Sequence, residues 1–206
     1  VHVIDPGWDS EDNVAGLNSG LAGLGRRPED VCSVTLTHQH KDHSGLSEYL
    51  RSASGCPIAV HPEDQQEMLF DVLPLAQSLR LERMGQWEVS EDYREELLLE
   101  LSTQTPNVPP SIKADLLLED GEFLLIPGRN LKVHHTPGHT PGHICIEDMD
   151  SKLVFTGDHI IGEFNPGVGL GKMWKPDSML KYIDSVKKIS SILQDISINR
   201  FFPIYF

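Results

Sequence analysis

The chain has 206 residues, a formal net charge of −14, and 39% hydrophobic against 23% charged residues. Such proportions belong to a globular domain long enough for one sizeable core. They exclude a membrane-spanning helix, because no apolar run approaches the roughly 20 residues required. They also argue against long nucleic acid as a partner, which asks for a basic face to neutralise phosphates.

In chain order, residues 1–5 read as an apolar strand ending at the Asp5-Pro6-Gly7 turn signal. The sequence opens directly in this strand with no signal-peptide pattern, so its natural start is expected upstream. Residues 10–25 carry Val14, Leu17, Leu21 and Leu24 at helical spacing. Residues 31–36 are apolar and β-branched, a buried strand, and 46–51 read as a second helix. Residues 56–60 form a further short strand closed by His61-Pro62. Alternating strands and helices point to an α/β layered domain, with a site expected past the C-terminal end of the buried strand.

The composition then changes. Residues 63–101 are rich in Leu, Glu, Arg and Gln, with Ser90 as an N-cap candidate, and a Pro-rich linker follows at 105–110. We read one domain over 1–206 with a helical insert at about 62–118 that serves either as a lid beside the site or as a structural lobe. Short strands return at 123–126, 131–135, 143–147 and 153–156, separated by Pro-Gly and Asp-Gly turns, as in an antiparallel meander. Residues 177–194 form an amphipathic helix with Met179, Leu180, Ile183, Val186, Ile189 and Leu193 on its apolar side.

Cys32, Cys56 and Cys145 are odd in number and irregularly spaced, which fits free thiols in a reducing, cytoplasmic compartment rather than a disulfide framework. Cys32 and Cys145 lie in apolar runs and are expected in the core.

Chemistry concentrates in three places. His38, His40, Asp42 and His43 fall within six residues just past a buried strand. On an extended segment the alternate residues His38, His40 and Asp42 face one side, and His43 joins them only if the chain turns or starts a helix there. Imidazole and carboxylate are the usual ligands of zinc and iron. His139 sits between two Pro-Gly pairs, on a rigid turn suited to presenting one ligand, whereas His143 reads as a core or supporting residue. His134 and His135 receive no metal role. Asp158 follows Thr156-Gly157 at the end of an apolar strand, a good position for a carboxylate shared by two cations.

Asp5 after a strand, the His-x-His-x-Asp-His run at 38–43, His139 in its Pro-Gly-His turn and Asp158 in its Thr-Gly-Asp turn occur in this order. Together they resemble the metallo-β-lactamase-fold hydrolase superfamily, and the spacing looks most like its glyoxalase II-like branch. The resemblance implies a four-layered αβ/βα sandwich with metal at one edge between two sheets. It implies that His38, His40 and His139 hold one ion, Asp42 and His43 a second, and that Asp158 bridges them. It further implies that Asp5 supports a ligand histidine by hydrogen bonding, and that Asp42 also orients the nucleophile. The ions implied are one or two Zn²⁺, with iron or manganese possible. The reaction implied is hydrolysis by a metal-activated water, on thioester or other acyl-ester small molecules.

One position departs from the pattern. The family's last histidine sits in a Pro-Gly-His-Gly turn after the final helix, and aligning the prolines sets Tyr205 there. That implies a weakened second site or an altered or shortened C-terminus. It leaves two alternatives open: a mononuclear iron persulfide dioxygenase-like enzyme, and a fold-retaining protein with impaired metal binding. The sequence leaves oligomeric state open.

Overall fold

The computed structural model describes residues 1–69, 84–85, 89–94, 112–162, 165–171, 176–196 and 201–202. The chain divides into two compact units, Val1–Met68 with Ile112–Phe206, and Leu69–Ser111.

In the first unit, β1 (His2–Ile4), β2 (Ser33–Thr35), β3 (Ile58–Val60) and β4 (Leu116–Leu117) form an all-parallel sheet in that order. Parallel neighbours need crossovers. The first is α1 (Glu11–Gly23), whose Ser10 cap accepts the Asn13 N–H at 3.2 Å and whose first turn carries Glu11 and Asp12. The next comprises α2 (Lys41–Ser44) and α3 (Ser47–Ser54), and α4 (Pro62–Leu69) follows β3.

The second sheet has the order β5 (Leu131–His135), β6 (Ile144–Asp148), β7 (Leu153–Phe155), β8 (Phe201–Phe202). The first two pairings are antiparallel; β8 runs parallel to β7 after the crossover helix α5 (Ser178–Ile196).

Strand alternation sorts the apolar residues into three layers of packing. Ile58 and Val60 face Leu21, Leu50 and Met68 of the helices, while Ala59 faces Val133, Ile144 and Ile146 of the other sheet. On the far side, Cys145 and Val154 pack against Ile189 of α5. Helix, sheet, sheet, helix is therefore the layer order, the αβ/βα sandwich expected.

Several expectations are corrected. Residues 123–126 are not a strand: Phe123 makes one isolated bridge to Lys132, and Leu125 is 92% exposed, because the turn at 127–128 follows at once. Met179, Leu180 and Ile183 lie exposed, as the apolar side of α5 meets the sheet only in its second half. Leu24 falls just past α1 and is exposed. Cys32 precedes β2 and is exposed, whereas Cys56 and Cys145 are buried. Helix α4 up to Met68 and strand β4 belong to the first unit, and the second spans Leu69–Ser111. Its described residues at 84–85 and 91–94 have helical backbone, and Arg94 donates to the Val89 carbonyl at 2.8 Å. No helix among the described residues is long and apolar enough to cross a membrane.

Candidate metal centre

The parallel strand β2 delivers the chain into a tight bend at 37–39 and then into α2. This short helix is the turn that His43 needed: it brings the buried His43 ring to 4.1 Å from that of His38, centroid to centroid. The β5–β6 turn carries His139, and the turn after β7 carries Asp158. The three segments meet at one edge of the sandwich. His40 Nδ1 lies 2.9 Å from His38 Nε2 and 3.0 Å from His139 Nε2.

The outer nitrogen of each ring has its own acceptor. His40 Nε2 donates to the Leu170 carbonyl at 3.1 Å, His139 Nδ1 to the Gly167 carbonyl at 2.7 Å, and His43 Nδ1 to Asp5 Oδ2 at 2.8 Å. Thr37 Oγ1 donates to Asp5 Oδ2 at 2.6 Å and so stands as acceptor for His38 Nδ1 at 3.1 Å. With the outer nitrogens protonated, the inner nitrogens carry lone pairs. Lone pairs on His38 and His139, each about 3 Å from that of His40, repel it unless a cation stands among them. Ligand nitrogens held at 2.0–2.1 Å around tetrahedral zinc stand about 3.3 Å apart, close to the separations found. The donor set and its spacing thus fit a metal ion.

Asp158 faces two ways. Its Oδ2 lies 3.5 Å from His139 Nε2 and its Oδ1 3.2 Å from His43 Nε2. Asp42 Oδ2 stands 3.6 Å from the same His43 nitrogen, and the Asp42 side chain is about half exposed. Two groups of potential ligand atoms therefore share one carboxylate: His38, His40, His139 and Asp158, and Asp42, His43 and Asp158. A third grouping joins Asp5 to His38 and His43, but Asp5 is already occupied by the Thr37 N–H at 2.7 Å, the Thr37 hydroxyl and His43.

Electrostatics follow from burial and from these partners. Burial, and then the neighbouring rings, hold the His38 pKa well below its ordinary 6.5, so this ring stays neutral. Burial also lowers His139. Burial opposes charge on His43 too, but the bonds to Asp158 and Asp5 outweigh it and raise its pKa to about 10. Asp158 is kept ionised: burial acts to raise its pKa, and the contact with His43 more than reverses that.

All six histidine and aspartate positions read as ligands from sequence come together here, with Asp5 behind them. Tyr205 lies outside the described residues. His143 is fully buried, bonded through Nδ1 to Thr136 Oγ1 at 2.9 Å, and belongs to none of the ligand groups. His134 pairs with Glu147 at 2.8 Å, and His135 stacks on His61 with centroids 3.9 Å apart. Sequence reading missed the acceptors that orient the rings: Thr37 and the carbonyls of Gly167 and Leu170. A main-chain carbonyl leaves no residue-type signal; the Gly-rich composition of 167–171 is the only hint of a loop able to approach closely.

Residues 1–196 match the metallo-beta-lactamase superfamily. Among curated proteins, a hydroxyacylglutathione hydrolase of Haemophilus influenzae is 30% identical over 168 residues, 79% of this chain and 66% of that protein. An acyl-coenzyme A thioesterase of Gallus gallus is 26% identical over 195 residues, 93% of this chain and 61% of that protein. Among solved structures, a metallo-beta-lactamase family protein from Thermus thermophilus superposes with a TM-score of 0.74 at 25% identity, over 98% of this chain and 64% of that one. The chain thus spans less than two thirds of the length of each. Sequence, layer order and the convergence of donors at one edge agree, and the chain belongs to the metallo-β-lactamase superfamily.

Proposed function

We propose that this chain is a metal-dependent hydrolase of small thioesters or other acyl esters. The observation that carries the reading is that His38 Nε2 and His139 Nε2 each lie within about 3 Å of His40 Nδ1, beside a carboxylate turned toward a second donor group. His38, His40, His139 and Asp158 would hold one ion, and Asp42, His43 and Asp158 a second. Zinc suits the donor set best, and iron or manganese fit it as well. A bound ion of this kind supplies Lewis acidity, lowering the pKa of a coordinated water toward about 7 and polarising an acyl oxygen.

The protein's own residues set the geometry. The Leu170 and Gly167 carbonyls hold His40 and His139 in the tautomers that present lone pairs inward, and Asp5 fixes the orientation of His43. Asp158, ionised and facing both donor groups, would balance the charge of ions held there. Asp42, half exposed beside His43, is the carboxylate placed to orient an attacking water. No serine or cysteine nucleophile is required.

The thioester preference draws on the names of the relatives, one acting on hydroxyacylglutathione and one on acyl-coenzyme A. The −14 charge supports a small molecule over nucleic acid as partner. Free Cys32, Cys56 and Cys145 support a reducing, cytoplasmic setting. We also read the chain as a single catalytic domain interrupted by an insert. The grouping of Asp42 and His43 with Asp158 favours this reading over a one-ion oxygenase, which leaves Asp42 and His43 with less to do, and over a scaffold with impaired metal binding.

The test is metal analysis of the purified protein together with assays on S-acylglutathione and acyl-coenzyme A thioesters, lactones, β-lactams and phosphodiesters. Turnover of a thioester, lost on chelation and restored by zinc, is expected. Bound metal with no hydrolysis of any of these substrates rejects the proposal; iron with oxygen uptake replaces it by the oxygenase.

A further inference from the structure

Asp64 is a carboxylate that the chemistry above does not use, yet it is wholly buried. It occupies the first turn of α4, directly after β3. An acid there is favoured by the helix dipole and would ordinarily face water. Instead its oxygens accept three hydrogen bonds from the turns carrying the candidate ligands. Oδ2 accepts the Gln39 N–H at 2.9 Å and the Thr140 hydroxyl at 2.8 Å, and Oδ1 accepts the Gly142 N–H at 2.6 Å.

These donors come from two sides of the molecule. Gln39 lies between His38 and His40 on the first sheet's loop, and Thr140 follows His139 on the second sheet's turn. The approach is close: a Cβ on Gly142 would collide with the Asp64 backbone nitrogen and lie 2.8 Å from Oδ1.

We propose that Asp64 is a positioning residue, clamping the His38–His40 bend to the His139 turn and thereby setting the distances among their inner nitrogens. The inference rests on the metal-site reading above. A carboxylate suits the task because it offers only acceptors to three donors. Asparagine at 64 would set an amide N–H against either the Gly142 N–H or the Gln39–Thr140 pair, so at least one bond is lost. Groups that orient metal ligands typically change affinity about 10–100-fold when removed.

The experiment measures zinc affinity by competition with a chromophoric chelator, and the visible spectrum of the cobalt-substituted protein, for the wild type, Asp64→Asn, Thr140→Val and Val133→Ala. Thr140→Val removes one bond of the clamp without changing charge. Val133→Ala lowers stability by opening a cavity in the buried core away from the clamp. The expected result is zinc binding about 10–100-fold weaker in Asp64→Asn, a smaller loss in Thr140→Val, altered cobalt bands in both, and wild-type affinity in Val133→Ala. A folded Asp64→Asn protein with wild-type affinity and spectrum overturns the inference. If Asp64→Asn does not fold, unchanged affinity and spectrum in Thr140→Val overturn it equally, as does an equal loss in Val133→Ala. A wild-type chain that binds no zinc, cobalt, iron or manganese instead overturns the metal-site reading itself, so the two failures are distinct.

Discussion

His43 donates from Nδ1 to Asp5 Oδ2 at 2.8 Å, across 38 residues of sequence, and both groups are buried. The bond commits the ring's other nitrogen, Nε2, to the side where Asp42 and Asp158 stand. Asp5 also holds Thr37 through its N–H and hydroxyl, and Thr37 in turn meets His38. One carboxylate therefore orients a ring from each ligand group. Asp5→Ala should weaken zinc binding about 10–100-fold by freeing both rings. Asp5→Asn, which keeps one acceptor, should recover part of that loss. Chelator competition reads both, and an Asp5→Ala protein that keeps wild-type affinity contradicts the orienting role.

Gly157 should resist substitution. Its φ of +47° lies in the left-handed region, and a Cβ there would stand 2.6 Å from Thr37 Oγ1 and 2.9 Å from His143 Nε2. Gly157→Ala is expected to cost about 2–4 kcal/mol, from backbone strain and overpacking together. Gly16, inside α1, should behave oppositely, since a methyl group added there meets no heavy atom within 4 Å. Gly16→Ala should gain about 0.5–1 kcal/mol. Urea unfolding of the two variants gives the comparison, and equal effects of the two changes would refute the packing assignment.

The buried His134–Glu147 pair sets a pH dependence. Burial lowers the His134 pKa, the bond to Glu147 offsets this only in part, and the nearby Lys188 lowers it further. The folded ring is thus harder to protonate than the unfolded one, whose pKa is about 6.5. As pH falls below about 6.5 the unfolded chain takes up a proton that the folded state resists, so this group's contribution to stability declines. His134→Gln should show a shallower loss of stability between about pH 7 and pH 5 than the wild type, measured by urea unfolding. A wild type that gains stability relative to the variant on acidification over that range indicates a charged ion pair instead.

The three thiols should differ sharply in reactivity. Burial pushes the Cys145 thiol up to about 12, and Cys56 is buried as well, whereas Cys32 is exposed. Because the thiolate is the nucleophile, iodoacetamide at about pH 8 should modify the folded protein once, at Cys32. Peptide mapping by mass spectrometry checks the site, and unfolding in urea should release the other two. Modification of Cys145 without unfolding would contradict its burial under α5.

The His38–His43 cluster was legible in the sequence because it is local. Four donors on six consecutive residues cannot lie far apart, and the β-branched run before them announces the buried strand that carries them. His139 and Asp158 were legible for a related reason, since Pro-Gly and Gly turns at strand ends are written in residue types. The exposure of Met179, Leu180 and Ile183 was not legible, because helical spacing specifies a common side of α5 but not how far the neighbouring sheet extends beneath it. Nor was the burial of Asp64, whose Pro62-Glu63-Asp64 setting reads as an ordinary solvent-facing helix start.

Sequence alone determined the alternation of strands and helices and the donor inventory, because strand and turn propensities and ligand identity reside in neighbouring residues; the four-layered sandwich followed from the resemblance those motifs carry. Tertiary structure alone decided which nitrogen of each ring faces inward and which acids are buried. Those properties depend on partners such as His40 and His139, 99 residues apart, and chain connectivity places no bound on such a distance until the two sheets have packed.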